Sequence, residues 1–112
     1  MPTSAEYLAY VKEQLSEIDN ISYKKMMGEY LVYYKGKYIA AVCDNRLLIK
    51  PFEGVELYLP SINYQKPYDG ARDMLLVEFE NDTEGFYKLF ETAYRNIPEA
   101  KLRGRKDKKE RA

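Results

Sequence analysis

Apolar residues recur every three or four positions near the start of the chain, which predicts an amphipathic helix. The stripe consists of Leu8, Val11, Leu15 and Ile18. Thr3 and Glu6 have the spacing of a capping box, in which each side chain satisfies a free backbone N–H at the helix start. Asn20 is expected to end this helix.

A second stripe at the same spacing lies near the other end of the chain. It consists of Phe86, Leu89, Phe90, Ala93 and Ile97. Asn81 and Glu84 form another capping pair before it, and Pro98 is expected to close it because proline cannot continue a helix. The pattern therefore predicts one helix at each end of the folded region.

Between the helices, β-favouring runs are divided by two short turns. Residues 28–34, 37–43 and 46–50 predict three strands, joined by the two-residue links Lys35-Gly36 and Asp44-Asn45. Residues 51–73 hold three prolines and two glycines, so they predict irregular structure with room for one helical turn or a short edge segment. Residues 74–79 predict a further strand.

This order of elements predicts an α+β fold with two layers. It has an N-terminal helix, an antiparallel three-strand meander plus at least one further strand, and a C-terminal helix packed on one sheet face. We expect a single domain over residues 1–100. Residues 101–112 have no apolar period and are rich in charge, which predicts a basic, disordered tail.

The two-residue turns fix which strand residues share a face, because a shift of one residue exchanges the faces. The face assigned to the core under the helices consists of Leu31, Tyr33, Tyr38, Ala40, Val42, Leu47 and Ile49. The opposite face contains Ala41 and a predicted partner face, namely Tyr30, Val32, Tyr34, Lys37, Ile39, Arg46, Leu48 and Lys50. That face is apolar in its middle and basic at its rim, so either residues 51–73 or a partner covers it. The partner is another protein or a second copy of the chain.

The formal net charge of zero conceals an uneven distribution. The tail carries seven Lys and Arg and two acids, whereas residues 1–100 carry eleven Lys and Arg and sixteen acids. The tail cations, which would attract nucleic-acid phosphates without reading sequence, are Lys101, Arg103, Arg105, Lys106, Lys108, Lys109 and Arg111. Lys37, Arg46 and Lys50 at the sheet rim would add to this contact. The alternative is a solvated tail that aids solubility.

The residue types present argue against catalysis and against metal or cofactor binding. The chain has no histidine, which removes the commonest general base and transition-metal ligand, and its one cysteine, Cys43, lies in an apolar strand. Acid pairs such as Glu78 and Glu80, or Asp69 and Asp73, are expected by chance among so many carboxylates. We therefore expect a protein that is not an enzyme and has no cofactor, no catalytic residue and no metal.

The sequence also bears on where the protein works. It has no apolar run long enough to span a bilayer, no secretory signal pattern at its start and no pair of cysteines for a disulfide. A cytoplasmic protein that does not bind membranes is the expectation.

The centre of the chain has a distinctive order of residues: a basic pair, a Met and a Gly, a Tyr-rich strand, a lysine-containing Gly turn and a second strand. Its positions are Lys24, Lys25, Met26, Gly28, Gly36, Asp44, Arg46, Leu47 and Lys50. With PYDGARDMLLVEF at residues 67–79 and the closing helix, this order resembles the TfoX N-terminal domain family, named for a competence regulator also called Sxy. The resemblance covers residues 4–98, and the basic tail is similar to the Lys-rich tail of many members. Met27 and Glu29 depart from the Phe and Gly that many members have.

The resemblance implies a stand-alone short member of that family, with an α+β fold of the secretion-chaperone-like kind. It also implies a non-enzymatic interaction or regulatory domain, linked in longer members to transcriptional control of competence. The predicted function is therefore regulation through protein partners in the cytoplasm. The alternative is weak nucleic-acid binding without sequence specificity, through the tail and the sheet rim.

Overall fold

A computed structural model describes residues 3–78 and 80–97 of the chain. Its elements in chain order are α1 (Ala5–Gln14), β1 (Ile21–Met26), β2 (Glu29–Tyr34), β3 (Lys37–Cys43), β4 (Arg46–Ile49), a 3₁₀ helix (Val55–Tyr58), β5 (Tyr64–Gln65), β6 (Met74–Leu76) and α2 (Thr83–Arg95). The strands form one antiparallel sheet in the order β1-β2-β3-β4-β6-β5. The predicted α+β class is confirmed, with a meander of four strands rather than three.

Both helices begin one residue away from the predicted cap. Ser4, not Thr3, caps α1: its Oγ accepts a hydrogen bond from the Tyr7 N–H, at 3.1 Å. The Thr3 hydroxyl instead donates to the Val42 carbonyl oxygen, at 3.3 Å. Asp82 caps α2, accepting from the Gly85 N–H at 2.9 Å. The predicted pairs were wrong because a neighbouring polar residue took the cap and the expected one bonded across the fold.

The strand that the sequence did not predict, β1, lies at an edge of the sheet. Ile21 and Tyr23 are half-buried against the core, whereas Ser22, Lys24 and Lys25 are exposed. Charged residues on an edge strand interrupt the alternation of apolar and polar positions that predicts a strand. They also discourage pairing of that edge with other chains. This composition explains why residues 21–26 were missed.

The two residues at the tip of each of three hairpins have positive φ angles. They are Met27-Gly28, Lys35-Gly36 and Asp44-Asn45, with φ between 51° and 85°. This is the backbone of the type I′ turn, whose twist matches that of the flanking strands. The two turns expected from the sequence are therefore confirmed, and a third joins β1 to β2.

A β-bulge makes the predicted register between β2 and β3 wrong beyond its first two pairs. Tyr33 lies opposite Tyr38 as predicted, but Val32 lies opposite Ala40, so Ile39 is an extra residue in β3. A bulge of this kind changes the phase of the side-chain alternation between the two strands. The side chains of β2 therefore face the side of the sheet opposite to the one predicted.

The main core lies between the sheet and the two helices. The sheet contributes Val32, Tyr34, Ile39, Ala40, Val42, Leu47, Ile49 and Leu75. The helices contribute Val11, Leu15, Phe86, Leu89, Phe90 and Ala93, and the chain after β4 adds Phe52, Val55 and Leu59. Ala40, Val42, Leu47 and Ile49 are in the predicted core, whereas Tyr30, Val32, Tyr34 and Ile39 of the predicted partner face lie here instead. Burying these apolar side chains supplies most of the driving force for folding.

A charged residue, Glu91 of α2, is also buried on this side. Its Oε2 accepts hydrogen bonds from the Tyr34 hydroxyl at 2.5 Å and from the Lys35 ammonium at 2.7 Å. Its Oε1 lies 3.3 Å from Nε of Arg95. The Lys35 bond, followed by the Tyr34 bond, lowers the pKa of the Glu91 carboxyl. An ionised carboxylate therefore joins α2 to the turn between β2 and β3.

Within the described part of the chain, neither helix has the length and apolar character needed to cross a bilayer.

Candidate binding site on the helix-free face

The sheet face turned away from α1 and α2, here called the helix-free face, has a smaller hydrophobic core of its own. Its buried residues are Ala41, Cys43, Leu48 and Met74, with Leu31 and Leu76 packed at their edge. Leu48 is completely buried although it points away from both helices. A neighbouring segment of the same chain must therefore cover part of this face.

That segment is the crossing loop, residues 66–73, between β5 and β6. Arg46 of β4 fastens its start: Nη1 donates to Oε1 of Gln65 at 2.8 Å and to the carbonyl oxygen of Lys66 at 3.1 Å. Nη2 donates to the carbonyl oxygen of Pro67, at 3.3 Å. Bonds from a charged donor to backbone oxygens are among the stronger ones in proteins. The guanidinium thus fixes the path of the crossing loop over the sheet.

An ion pair joins the two ends of the crossing loop, and a turn forms its tip. An ion pair of 2.9 Å joins Nζ of Lys66 to Oδ1 of Asp73. At the tip, the Ala71 N–H donates to the Tyr68 carbonyl oxygen at 3.1 Å, and Gly70 has φ of 88°, a value that favours glycine. This geometry presents Tyr68 outward, with 63% of its surface exposed.

Tyr68 lines two clefts on the helix-free face, together with Tyr38 and Pro67. The first cleft, of about 330 Å³, is lined mainly by Tyr38, Lys50, Phe52, Tyr68, Arg72 and Met74. The second cleft, of about 230 Å³, is lined mainly by Met26, Leu31, Tyr38, Ala41, Cys43 and Tyr68. Concave apolar surfaces with a few polar groups are the usual form of a ligand site. The two clefts and Tyr68 are the candidate site.

A more polar hollow lies beside the start of the crossing loop. It measures about 580 Å³ and is lined by Glu29, Asp44, Arg46, Gln65, Lys66 and Asp69, among others. Its charges are of both signs, and Arg46 is already bonded to the loop. The hollow is therefore a solvated edge of the site rather than a third apolar cleft.

Aromatic rings and cations set the electrostatics of the first cleft. The Lys50 ammonium lies 4.5 Å from the centre of the Tyr38 ring and 5.6 Å from that of Phe52, which is cation–π geometry. Arg72 lies at the cleft and forms no ion pair with any other residue in the ranges 3–78 and 80–97. Asp73 is the acid of the cleft, and Lys66 already neutralises it. The first cleft is therefore apolar in its walls and positive in its balance of charge.

The Tyr38 phenol and the Cys43 thiol hold their protons at neutral pH. Burial raises the pKa of the Tyr38 phenol, and burial together with nearby Glu29 raises the pKa of the Cys43 thiol to about 11. A thiol with a raised pKa is a poor nucleophile and a poor metal ligand because only the thiolate reacts. Cys43 therefore serves as a small apolar wall of the second cleft, as its place in an apolar strand predicted.

No cluster of three or more acids, cysteines or histidines with metal-binding geometry occurs in the described ranges. Of the predicted carboxylate pairs, Asp73 is engaged with Lys66, and Asp69 borders the polar hollow.

The eight residues of the predicted partner face do not lie together. Arg46, Leu48 and Lys50 are on the helix-free face, and Lys37 is exposed at the β2–β3 turn. Val32, Tyr34 and Ile39 belong to the main core, and Tyr30 packs against that core but also lines the second cleft. This part of the prediction was wrong because the bulge at Ile39 reverses the faces of β2.

The sequence interpretation missed four residues of the first cleft that matter most, namely Phe52, Tyr68, Arg72 and Met74. The available signal was the Pro67-Tyr68-Asp69-Gly70 turn sequence, which puts an aromatic residue at an exposed tip. Tyr38 was assigned to the helix side but lines both clefts. The seven cations predicted to contact nucleic acid, which begin at Lys101, lie outside the described residues.

Comparison with known proteins adds one relative. The chain is 29% identical over 109 residues to a protein of Spirochaeta aurantia described as an "uncharacterized 12.7 kDa protein in trpE 5'region". The match covers 96% of this chain and 95% of that protein. No family model matches the chain, and no solved structure matches it. The resemblance to the TfoX N-terminal domain family therefore stays a prediction of the sequence.

Proposed function

We propose that this protein is a non-enzymatic, cytoplasmic interaction domain of the TfoX N-terminal type, which binds a segment of a partner protein on its helix-free face. The observation that carries the proposal is the exposed Tyr68, which lines both clefts. Tyrosine is enriched at the energetic centres of protein interfaces because it combines a large apolar area with a hydrogen-bonding group.

The anchoring of the crossing loop supports this function. A loop that is already held in one conformation loses less entropy when a partner binds, so more of the contact energy appears as affinity. Arg46 provides three hydrogen bonds to the loop and its flank, and the Lys66–Asp73 pair closes its base. Tyr68 is thus exposed on a supported loop.

The groups around Tyr68 are suited to binding. The first cleft combines aromatic walls with Lys50 and Arg72, and the second is lined mostly by apolar and aromatic side chains, with Glu29 as its charged residue. A segment that places an apolar side chain in either cleft would bury it against Tyr38 and Tyr68. Contacts of this kind require no reactive side chain, in keeping with a regulatory or adaptor role.

The proposal is tested by selecting peptides from a random library displayed on phage, with the full chain as bait. Affinities of the enriched peptides are then measured for the wild type, for Tyr68→Ala and for Tyr87→Ala. Tyr87 is a matched control because it is an exposed tyrosine of α2, on the other side of the sheet. We expect Tyr68→Ala to weaken binding by about tenfold or more, as removal of an interface centre does.

Two results would contradict the proposal. One is a selection that enriches no peptide with saturable affinity. The other is a set of peptides that lose equal affinity with Tyr68→Ala and Tyr87→Ala. Thermal melting of both variants shows whether a loss reflects the contact or the fold.

Nucleic-acid binding is the second candidate, supported by the seven cations of residues 101–112. The sheet rim contributes little to it, since the Arg46 guanidinium already bonds the crossing loop. Anisotropy of a labelled duplex at two salt concentrations tests it, comparing the wild type with a variant in which Lys106, Lys108 and Lys109 are glutamine. Binding that falls with salt, with a slope smaller by about three in the variant, is the expected result. Binding insensitive to salt would rule the idea out.

A further inference from the structure

We infer that the second cleft binds a lysine side chain of the partner segment, with Glu29 pairing with its ammonium and the apolar and aromatic walls enclosing its stem. The inference rests on the proposed function and specifies one side chain of the partner segment. The observations behind it are an acid without an ion pair, walls suited to a long apolar stem, and a solvated hollow next to the cleft.

Glu29 is the charged residue of the second cleft and is half-buried there. It forms no ion pair with any other residue in the ranges 3–78 and 80–97. A carboxylate accepts several hydrogen bonds, and a cation nearby stabilises its ionised form when water is partly excluded. Glu29 therefore favours a cationic ligand group over a neutral or an anionic one.

The negative charge of Glu29 acts inside the cleft. After burial, this charge is the next cause that raises the pKa of the Cys43 thiol to about 11. Arg46 lies near enough to lower that pKa, but its Nη1 and Nη2 atoms donate to Gln65 and the crossing loop. The cleft thus keeps a negative charge that a ligand is able to neutralise.

The walls suit the apolar stem of a lysine. They include Met26, Leu31, Tyr38, Ala41 and Tyr68. A lysine buries its methylene groups along such a surface while its ammonium reaches a polar group, and aromatic faces attract the ammonium as well. The cleft is about 230 Å³, below the roughly 300–1,000 Å³ of small-molecule sites. An unbranched stem with a compact ammonium fits this space better than a planar guanidinium does.

The position of Glu29 also limits the cost of forming the new ion pair. Glu29, Pro67 and Tyr68 line both the second cleft and the polar hollow beside the crossing loop. The ammonium would therefore pair with Glu29 where the cleft meets a solvated space. An ion pair that stays close to water loses less hydration free energy than one in a sealed interior.

The experiment uses the full chain labelled with ¹⁵N and two tripeptides, Leu-Lys-Leu and Leu-norleucine-Leu, both acetylated and amidated. The lysine ammonium is then the one charge, and norleucine supplies an apolar stem without it. Amide resonances of Leu31, Ala41 and Cys43 report on the second cleft. The lysine peptide is expected to produce saturable shifts there, with an affinity about tenfold above that of the norleucine peptide.

Salt and three variants make the result specific. Raising the salt concentration should weaken the lysine peptide and leave the norleucine peptide unchanged, which tests the wild type alone. Glu29→Gln should abolish the preference for lysine, whereas Glu17→Gln, which removes an exposed acid after α1, should preserve it. Glu29→Lys should instead prefer Leu-Glu-Leu. The ¹⁵N spectrum of each variant shows whether it is folded.

A free amine is the rival occupant, and n-butylammonium represents it, since it has the stem and ammonium of lysine without a backbone. It should bind about tenfold more weakly than the lysine peptide, whose leucines add contacts with Tyr68 and the first cleft. Equal binding would assign the second cleft to a free amine and overturn the inference.

The inference is also overturned if the lysine and norleucine peptides bind equally, if a folded Glu29→Gln variant keeps the preference, or if neither peptide shifts the cleft resonances. Its failure is distinguishable from that of the proposed function. Selected peptides that depend on Tyr68 but bind equally well with norleucine in place of lysine leave the proposed function intact and remove only the lysine contact. Equal losses with Tyr68→Ala and Tyr87→Ala contradict the proposed function itself.

Discussion

Beside the main core, the carboxylate of Glu91 contacts three polar side chains. It accepts from the Tyr34 hydroxyl and the Lys35 ammonium, and it pairs with Arg95 one turn further along α2. Tyr34 is itself almost completely buried between the rings of Phe90 and Tyr94. Loss of the carboxylate would leave a buried hydroxyl without its acceptor, which costs more than a hydrogen bond contributes when both partners are present.

We therefore expect Glu91→Leu to lower the free energy of unfolding by about 2 kcal/mol, the typical cost of an unpaired buried polar group. The double variant Tyr34→Phe, Glu91→Leu should be more stable than Glu91→Leu alone, since it removes the orphaned hydroxyl as well. Urea denaturation of both variants measures the difference. Glu13→Leu, at an exposed position of α1, is the control and should change stability by less than about 0.5 kcal/mol. A Glu91→Leu variant as stable as this control would contradict the network.

The same carboxylate makes stability depend on pH in the acid range. The pKa of Glu91 in the folded protein is below its ordinary value of 4.5 because Lys35 and Tyr34 stabilise the ionised form. Its contribution is therefore complete above that ordinary value and is lost as the pH falls through the lowered pKa. Glu91→Gln should lose less unfolding free energy than the wild type between about pH 6 and about pH 3. Equal losses in the two proteins would assign the acid sensitivity to other groups.

At the scale of the elements, the sequence predicted what local periodicity determines and missed what long-range contacts determine. Both helices and strands β2 to β4 follow from apolar spacing and turn residues. The edge strand β1 did not, because its exposed lysines obscure the alternation. The two faces of β2 were predicted the wrong way round because no local sequence feature marks Ile39 as an extra residue in β3.

In the candidate site too, the residues that local spacing places were predicted, whereas those that long-range contacts place were not. Arg46, Leu48 and Lys50 were placed on a common face from the spacing of β4 alone. Tyr68 was not, since the path of the crossing loop depends on bonds from Arg46 to residues 19 to 21 positions away. The spacing of residues along the sequence does not indicate which distant residues form such bonds.

The turn between β1 and β2 offers a direct test of its own geometry. Met27 has φ of 53°, a left-handed conformation that costs most residues free energy, and its side chain is 97% exposed. Met27→Asn would create the Asn-Gly pair that type I′ turns favour and should raise the free energy of unfolding by about 0.5–1 kcal/mol. Met26→Asn, within β1, is the control and should give no gain. A Met27→Asn variant less stable than the wild type would contradict the turn.

The molecule as a whole is a sheet with a hydrophobic layer on each face, and the two layers are covered differently. Helices α1 and α2 cover the larger layer, whereas the crossing loop covers part of the smaller one. Both clefts have residues of the crossing loop, Pro67 and Tyr68, in their walls. The crossing loop therefore buries part of this face and also forms part of the walls of its two clefts.

This arrangement predicts that the smaller layer contributes to stability as a real core. Leu48 and Ile49 are neighbours in β4, both completely buried, and face opposite sides of the sheet. Leu48→Ala should lower the free energy of unfolding by about 2–4 kcal/mol, as Ile49→Ala should, because each leaves a cavity in a packed interior. Urea denaturation of the two variants makes the comparison. A Leu48→Ala variant close to the wild type would mean that the crossing loop leaves this layer open to water.

The extra residue at Ile39 also bears on how relatives of this chain diverge. If a relative lost that one residue, Tyr38 and Ala40 would become neighbours on opposite faces, opposite the same β2 residues, Tyr33 and Val32, that they pair with here. The deletion would therefore remove the bulge and leave the inside and outside positions of β2 unchanged. When relatives are compared with this chain, a gap at position 39 should occur without an inversion of the apolar pattern over residues 29–34.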